Sequence, residues 1–480
     1  MKRYVIAVAA LLVLAAGGGL VAWYLHVEHA SRDVKGSSTV EFVTTQEAPP
    51  PPPEPGIAWP TYGHDAEHLR FGNGIALAPP FKRIWTFRAQ SLVEFPPAVG
   101  YGRLFFANNA GVMFAVGAKN GKRAWKLVSG RCVASSPALD RHVVYQAYLN
   151  TPPCNRKPSA ALTGEVVAYA VGTGRVLWRR RIGPSETSPV VSRASVFVGD
   201  WNGRVWALRR TTGRTRWVTK LQGQVKGSVA ISGNRIFVGD YSGHLYALSY
   251  ASGKVLWKAK LQPRFGGAGN IYATPSAAYG RVYVGATDGK VYSFGAESGK
   301  LRWSQSTGGY VYSSTAVWRD RVYAGSYSKR FFCFDAATGR VLWQFQANGQ
   351  ISGSPTVIAG RVYFATLTGR TYALDARSGA LLWTFPDGKY SPVVADSKRV
   401  YLIGYARIYG LVPSATQGTV TAQELRRLPH AGVLATRYAS RKAAATHGGV
   451  QVCNVVLARR GASPARFWGI VRKVRGACVR

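Results

Sequence analysis

The sequence predicts an all-β protein, an eight-bladed β-propeller with tryptophan-docking repeats, preceded by one N-terminal transmembrane helix. Three observations predict this architecture. A motif of eleven residues recurs seven times, its tryptophans are spaced by about 40 residues, and a separate apolar run lies at the N-terminus. A period near 40 residues is typical of a four-stranded propeller blade.

Each copy of the motif begins with a small residue, has a glycine six positions later and ends four positions after that in tryptophan. It is most complete in ALDARSGALLW, Ala373 to Trp383. An eighth tryptophan, in FKRIWTF, lacks the motif before it. Successive tryptophans are 40, 53, 39, 40, 46, 40 and 40 residues apart. These tryptophans are Trp85, Trp125, Trp178, Trp217, Trp257, Trp303, Trp343 and Trp383.

Within one period the local signals indicate short strands and no helix. We expect strands at residues 354–357, 361–365, 370–374 and 380–385. Gly379 falls where a hairpin turn needs positive φ. The large ring of Trp383 is predicted to dock on the next blade, as every tryptophan of the motif would.

The eighth blade is predicted to combine the two ends of the repeat region. SPVVADSKRVYLIGYARIYGL, Ser391 to Leu411, starts a blade but lacks the final tryptophan strand. FKRIWTF with Trp85 would supply that strand. Closure of the ring in this way leaves no long open sheet edge.

The repeated motif resembles the tryptophan-docking repeat of quinoprotein-type, PQQ-like β-propellers. That superfamily includes quinoprotein dehydrogenases and non-catalytic assembly factors of the BamB kind. The resemblance covers roughly residues 57–412, and seven in-register copies make it specific for the fold. It indicates little about function, because the repeat is a packing device. The superfamily contains both scaffolds and redox enzymes that use pyrroloquinoline quinone, so both functions are open.

The rest of the chain divides into three regions. Residues 1–27 are predicted to form a membrane anchor, because the apolar run Tyr4 to Leu25 follows Lys2 and Arg3 and is long enough to span a bilayer. A cleaved signal peptide ending near Ala15 or Gly17 is the alternative. Residues 28–56 form a polar, proline-rich linker, and residues 413–480 form a basic tail or small appendage.

Four of the five cysteines form two local pairs. Cys132 and Cys154 fall in the second blade, and Cys453 and Cys478 in the tail. We expect both pairs to be disulfides in an exported chain, with four unpaired thiols as the alternative. Cys333 takes the small-residue position of the motif and is expected to be buried.

The chain carries 62 basic and 21 acidic residues, a net charge of +41. A field of this strength favours anionic lipids or cell-wall polymers as partners. The field would also attract nucleic acid in solution. Lys2 and Arg3 place the N-terminus of the predicted anchor inside the cell, so the propeller is expected on the extracytoplasmic side, and this location excludes nucleic acid as a physiological partner. The alternative is a solvated basic surface with no ligand.

The sequence predicts no catalytic, cofactor-binding or metal-binding residue. The enzymes that the repeat resembles need a channel carboxylate and a calcium ion held by oxygen ligands, and many stack the quinone on a disulfide of adjacent cysteines. The chain has few acidic residues and no adjacent cysteines. His64 and His68 in HDAEH would bind a metal only on a helix with further ligands.

Hydroxyl residues at the blade starts are predicted to ring the channel mouth, where they would hold a ligand or merely relieve crowding near the axis. They are Ser136, Ser188, Ser228, Thr274, Ser314, Ser354 and Ser391. The favoured function is a non-catalytic binding or scaffold module with a protein partner in the cell envelope. A dehydrogenase using pyrroloquinoline quinone with calcium, or a polyanion-binding protein, is the alternative.

Overall fold

The computed structural model describes residues 2–44, 55–154, 156, 159, 161–264, 269–391, 393–414, 435–438, 452–457 and 465–471. One helix, α1 (Lys2–Ala30), precedes three short or peripheral strands. These are β1 (Ile57–Trp59), β2 (Phe71–Gly72) and β3 (Phe81–Arg88). The following strands form successive antiparallel sheets around a common channel, which confirms the predicted all-β, eight-bladed β-propeller.

The blades are numbered in chain order, and each begins at its innermost strand. Blade 1 contains β4 (Ala98–Gly100), β5 (Arg103–Ala107), β6 (Val112–Gly117) and β7 (Arg123–Val128); blade 2 contains β8 (Ala138–Asp140), β9 (Val143–Tyr148), β10 (Gly164–Ala170) and β11 (Val176–Ile182). Blade 3 contains β12 (Val190–Ser192), β13 (Ser195–Gly199), β14 (Arg204–Arg209) and β15 (Thr215–Lys220); blade 4 contains β16 (Ala230–Ser232), β17 (Arg235–Gly239), β18 (His244–Ser249) and β19 (Val255–Lys260).

Blade 5 contains β20 (Ser276–Ala278), β21 (Arg281–Gly285), β22 (Lys290–Gly295) and β23 (Leu301–Ser306); blade 6 contains β24 (Ala316–Trp318), β25 (Arg321–Gly325), β26 (Arg330–Asp335) and β27 (Val341–Gln346). Blade 7 contains β28 (Thr356–Ile358), β29 (Arg361–Thr366), β30 (Arg370–Asp375) and β31 (Leu381–Phe385). The strands of blade 7 lie within two residues of the predicted bounds.

Blade 8 joins the two ends of the repeat region. It contains β32 (Val393–Ala395), β33 (Val400–Ile403) and β34 (Arg407–Pro413), and its outer strand is β3, which carries Trp85. The predicted closure of the ring is therefore confirmed. The contact from blade 8 to blade 1 has the same form as the others, because Trp85 Nε1 donates to the Ala118 carbonyl at 3.2 Å.

The hydrophobic core lies between neighbouring blades, because the second and third strands of each blade are buried on both faces. Phe331 of blade 6 stacks on Phe364 of blade 7 with ring centroids 4.2 Å apart. Cys333 is fully buried in β26, as expected. The outer strands alternate exposed and half-buried residues, which is typical of a sheet with one solvated face.

Seven of the eight tryptophans, from Trp85 to Trp343, contact the turn glycine of the following blade. Gly379 has φ +73°, and a Cβ built on it would lie 2.7 Å from Cδ2 of Trp343. The indole N–H of Trp303 donates to the carbonyl of Ala336 in the next blade at 2.9 Å. Whether these contacts hold the blades together stays a prediction. Equivalent indole bonds run from Trp125, Trp178, Trp217 and Trp257.

Residues 57–72, here called the plug segment, lie across the channel. β1 pairs with the innermost strand of blade 1, and β2 pairs with that of blade 7. Between them, backbone carbonyls of the plug segment accept hydrogen bonds from the inner strands of blades 2, 4, 5, 6 and 7. The donors are the N–H groups of Leu139, Ile231, Ala277, Val317 and Val357. At blade 3 the hydroxyl of Thr61 donates to the carbonyl of Pro189. The plug segment therefore closes one end of the channel.

The predicted transmembrane helix is not supported. Among the described residues, no helix is long and apolar enough to cross a membrane. The part of α1 whose side chains are described, residues 15–30, is short and carries His26, Glu28 and His29 near its end.

The segment after α1 binds the rim of blade 5. Val34 and Ser304 of β23 exchange two backbone hydrogen bonds, of 3.2 and 3.0 Å. Asp33 forms an ion pair with Lys290 at 3.0 Å, and Glu41 forms one with Arg302. The proline tract of the predicted linker lies outside the described residues.

Cys132 and Cys154 form the predicted disulfide in blade 2. The predicted pair of Cys453 and Cys478 involves side chains outside the described residues. A second compact unit comprises residues 78–82 and 412–480. Its described strands are β35 (Ala435–Tyr438), β36 (Val452–Leu457) and β37 (Ala465–Val471), which form one antiparallel sheet in the order β35-β37-β36.

Candidate functional site: the axial cavity

The predicted hydroxyl ring forms a belt of hydrogen bonds between blades. The backbone N–H of Ser188 donates to Oγ of Ser228 at 2.9 Å, and the N–H of Ser228 donates to Oγ1 of Thr274 at the same distance. Identical bonds link Ser136 to Ser188, Thr274 to Ser314 and Ser314 to Ser354. The hydroxyls therefore satisfy buried backbone donors of the preceding blade. Their role toward a ligand stays a prediction.

A cavity of about 230 Å³ lies on the axis beside this belt. Of the predicted ring, Ser228, Thr274, Ser314 and Ser391 line it. Six of the other lining residues stand two positions before the residue that starts a blade. This position is occupied in blades 1, 3, 4, 5, 6 and 7 by Glu94, Glu186, Lys226, Tyr272, Tyr312 and Ser352.

The repeat explains why these side chains meet. The small residue at the blade start is bonded to the next blade, which fixes the backbone, and in six blades the residue two positions earlier lines the cavity. The belt is therefore constant in chemistry, whereas the neighbouring position varies from acidic to basic to aromatic. Six blades together place two carboxylates, one ammonium, two phenols and one hydroxyl at the cavity as a result.

Two carboxylates and one ammonium define the electrostatics of the cavity. Nζ of Lys226 lies 3.4 Å from Oε1 of Glu186. The same ammonium lies over the rings of Trp201 and Tyr241, at 4.7 and 4.8 Å from their centroids. Burial raises the pKa of Glu186, while Lys226 acts in the opposite direction. Burial, reinforced by Glu186, raises the pKa of Glu94 to about 7.

Tyrosines form the wall on one side and extend to the surface. Ring centroids of Tyr272 and Tyr312 are 5.6 Å apart, and those of Tyr312 and Tyr327 are 5.0 Å apart. Tyr310, which is 47% exposed, contacts both Tyr312 and Tyr327. Nζ of Lys389 lies 4.8 Å from the ring of Tyr405, which is 53% exposed. We call Tyr310, Tyr312, Tyr327, Tyr390 and Tyr405 the mouth tyrosines.

The plug segment supplies Tyr62 to the cavity lining. Its hydroxyl lies 2.8 Å from Oγ of Ser354, and the Arg70 guanidinium stacks 4.1 Å from its ring centroid. His68 is completely buried, and burial lowers its pKa to about 3. His64 and His68 do not lie on a helix, and no group of three or more metal-binding side chains occurs among the described residues.

The cavity residues do not fit a calcium–quinone centre. Calcium takes six to eight oxygen ligands, whereas the two cavity carboxylates include one, Glu186, that is already paired with an ammonium. The belt hydroxyls are engaged with backbone groups. The disulfide joins cysteines 22 residues apart in sequence instead of adjacent ones.

Sequence reasoning missed Glu94, Glu186 and Lys226. The usable signal was positional, because each residue stands two positions before a blade-starting small residue, in EFPP, ETSP and KGSV. An alignment of the repeat copies places two acidic residues and one basic residue at this position, near the axis.

The fold and cavity define a PQQ-like β-propeller whose axial position varies in chemistry from blade to blade. The sequence matches the family model described as outer membrane protein assembly factor BamB over residues 130–219, 162–313 and 307–426. The chain belongs to this family. No curated protein sequence matches it.

Solved structures of both kinds of PQQ-like propeller are similar to this one. BamB from Moraxella catarrhalis has a TM-score of 0.57 at 16% identity, covering 69% of this chain and 99% of that one. A europium-containing methanol dehydrogenase has a TM-score of 0.63 at 12% identity, covering 75% and 98%. Quinohemoprotein alcohol dehydrogenase from Comamonas testosteroni has a TM-score of 0.60 at 15% identity, covering 74% and 80%. At these identities the likeness is one of fold.

Proposed function

We propose that the protein is a non-catalytic binding module of the cell envelope, exported from the cytoplasm, which recognises a protein partner through the mouth tyrosines. The observation that carries the proposal is the exposed aromatic cluster at the channel mouth. Tyrosine is enriched in the energetic centres of protein interfaces, because its ring buries a large area at little entropic cost. The disulfide in blade 2 supports an oxidising location.

The BamB family includes assembly factors, and this supports a partner-binding role over a catalytic one. The poor fit of the cavity residues to calcium and quinone points the same way. Arg281, one of the arginines that recur along the repeat, is buried and donates to backbone carbonyls of Val40 and Glu41. At this position, the recurring basic residue stabilises the chain instead of presenting charge to a polyanion.

Site-specific photocrosslinking in cells tests the proposal. A photoreactive residue is placed at Tyr310 or Tyr405, and at Val128 on the outer strand of blade 1 as a control, where 71% of the residue is exposed. We expect a discrete protein adduct from the two mouth positions and none from Val128, and the same adduct when isolated cell envelopes are irradiated in half-molar salt. Adducts that are absent, or the same at all three positions, would contradict the proposal. Loss in salt would favour the polyanion-binding alternative.

A further inference from the structure

The axial cavity differs in charge from the molecule around it. The chain has a net charge of +41. Among the described residues that line the cavity, Lys226 is the only basic one, and it faces two carboxylates, Glu94 and Glu186. With both carboxylates ionised, the cavity has a net charge of minus one.

Neither carboxylate is fully satisfied. No described group donates a hydrogen bond or forms an ion pair with the side chain of Glu94. Oε2 of Glu186 is buried and has no partner at hydrogen-bond distance, although Trp201 and Tyr272 lie near enough to oppose the rise in its pKa. Buried acceptors without partners are costly, and a bound donor or cation would remove that cost.

Six aromatic residues line the cavity beside the hydroxyl residues of the belt. Tyr62, Tyr272, Tyr312, Tyr327 and Tyr390 line the cavity together with Phe95. The faces of aromatic rings attract cations, most strongly where water is excluded. The protein itself places an ammonium in this kind of environment, because Lys226 lies between two rings and beside Glu186.

We propose that this cavity binds a small organic cation, whose ammonium group lies between the Glu94 carboxylate and the tyrosine rings. The volume of about 230 Å³ limits the ligand to a small molecule, since pockets for drug-sized ligands occupy about 300–1,000 Å³. The plug segment closes one end of the channel, so the ligand enters past the mouth tyrosines. This inference is independent of the proposed partner binding.

Binding should increase with pH. The groups that face Glu94 are Glu186, Tyr272 and Tyr390, with Lys226 beyond Glu186 and Arg70 behind Tyr62. Burial raises the pKa of Tyr272 and Tyr390 above their usual value, so both stay neutral near pH 7. The pKa of Glu94 in the protein without ligand is about 7. A cation that requires the ionised carboxylate should therefore bind about tenfold more tightly at pH 8 than at pH 6.

Isothermal titration calorimetry with the full chain tests the proposal. The probes are choline and butylammonium, compared with dimethylbutanol and butanol, which have similar shapes and no charge. We expect saturable one-to-one binding of at least one cation, and binding of its neutral counterpart at least tenfold weaker. Glu94→Gln should weaken the binding of the cation at least tenfold. Glu297→Gln, a matched change at an exposed turn between β22 and β23, should not.

Three results would overturn the proposal. They are the failure of both cations to saturate, equal binding of a cation and its neutral counterpart, and unchanged cation binding by a folded Glu94→Gln variant. Circular dichroism of the variant establishes that it is folded. None of these results bears on the crosslinking experiment at the channel mouth, so the two proposals fail separately.

Discussion

The N–H of Ser188 donates a 2.9 Å hydrogen bond to Oγ of Ser228, one blade further along the chain. The same bond occurs five times in the belt, and the hydroxyls of Ser188, Ser228, Thr274, Ser314 and Ser354 each accept from a buried backbone donor. The hydroxyl type matters little, because Thr274 takes the same role as the serines. The position therefore requires a hydroxyl oxygen that accepts the backbone hydrogen bond.

Replacing Ser228 with alanine should therefore destabilise the propeller. The change leaves the Ser188 N–H buried without an acceptor, which costs about 1–3 kcal/mol. Chemical denaturation measures the free energy of unfolding. Ser228→Thr, which keeps the oxygen, and Ser252→Ala, in an exposed turn, should each change it by less than about 0.5 kcal/mol. Equal losses for Ser228→Ala and Ser252→Ala would show that the belt adds no stability.

The contact between tryptophan and turn glycine leads to a second prediction. Gly379→Ala would place a Cβ 2.7 Å from the Trp343 ring, whereas Gly233→Ala has nothing within 4 Å. Both glycines have positive φ, +73° and +56°, so both variants suffer a backbone cost of about 1 kcal/mol. Gly379→Ala should lose about 1–3 kcal/mol more than Gly233→Ala, because the docked ring must move. Equal thermal unfolding of the two variants would rule out tight docking.

Glu94 should make the protein less stable as the pH rises. Its pKa is raised from 4.5 to about 7 in the folded state, so the folded protein binds a proton that the unfolded chain releases. The contribution of this group to the free energy of unfolding decreases as the pH rises from 4.5 to about 7, and it stays low above pH 7. Glu94→Gln should therefore be more stable than the wild type at pH 8, by about 1–3 kcal/mol, and equally stable at pH 4.

The comparison needs a variant that changes charge without changing the cavity. Glu297→Gln removes one carboxylate at an exposed site and should show no such dependence on pH. If Glu94→Gln and Glu297→Gln unfold alike at every pH, Glu94 is not held in a desolvated site.

His68 should have the opposite effect. Burial lowers its pKa from 6.5 to about 3, so below pH 6.5 the unfolded chain binds a proton that the folded protein does not bind. Stability from this group is full above pH 6.5 and falls on acidification by about 1.4 kcal/mol per pH unit. His68→Asn keeps a residue type that tolerates the φ of +58° and should lack this slope. Denaturant unfolding between pH 6.5 and 5 measures the difference from the wild type.

The effects of His68 and Glu94 oppose one another between pH 4.5 and 6.5. The wild-type profile alone therefore does not separate them, and the difference between each variant and the wild type is the informative quantity. A His68→Asn variant with the wild-type slope would show that His68 is hydrated or becomes protonated in the folded state.

The repeat alone determined the blade count, the strand bounds of blade 7 and the use of the Trp85 strand to close the ring. The short separation of Cys132 and Cys154 predicted their disulfide. Each depends on residues close in sequence, or on a spacing that recurs, so a linear pattern contains the information. The expected transmembrane helix was inferred in the same way, from a run of apolar residues, and the described structure does not support it.

The cavity was decided only by the tertiary structure. Glu94 and Glu186 are 92 residues apart in sequence, and they meet because ring closure brings the same position of different blades to one axis. The plug segment has no repeat of its own, and its path is set by hydrogen bonds to six inner strands and to the Pro189 carbonyl. Local periodicity specifies how a blade folds, whereas the chemistry at the axis depends on which residue each blade places there once the ring is closed.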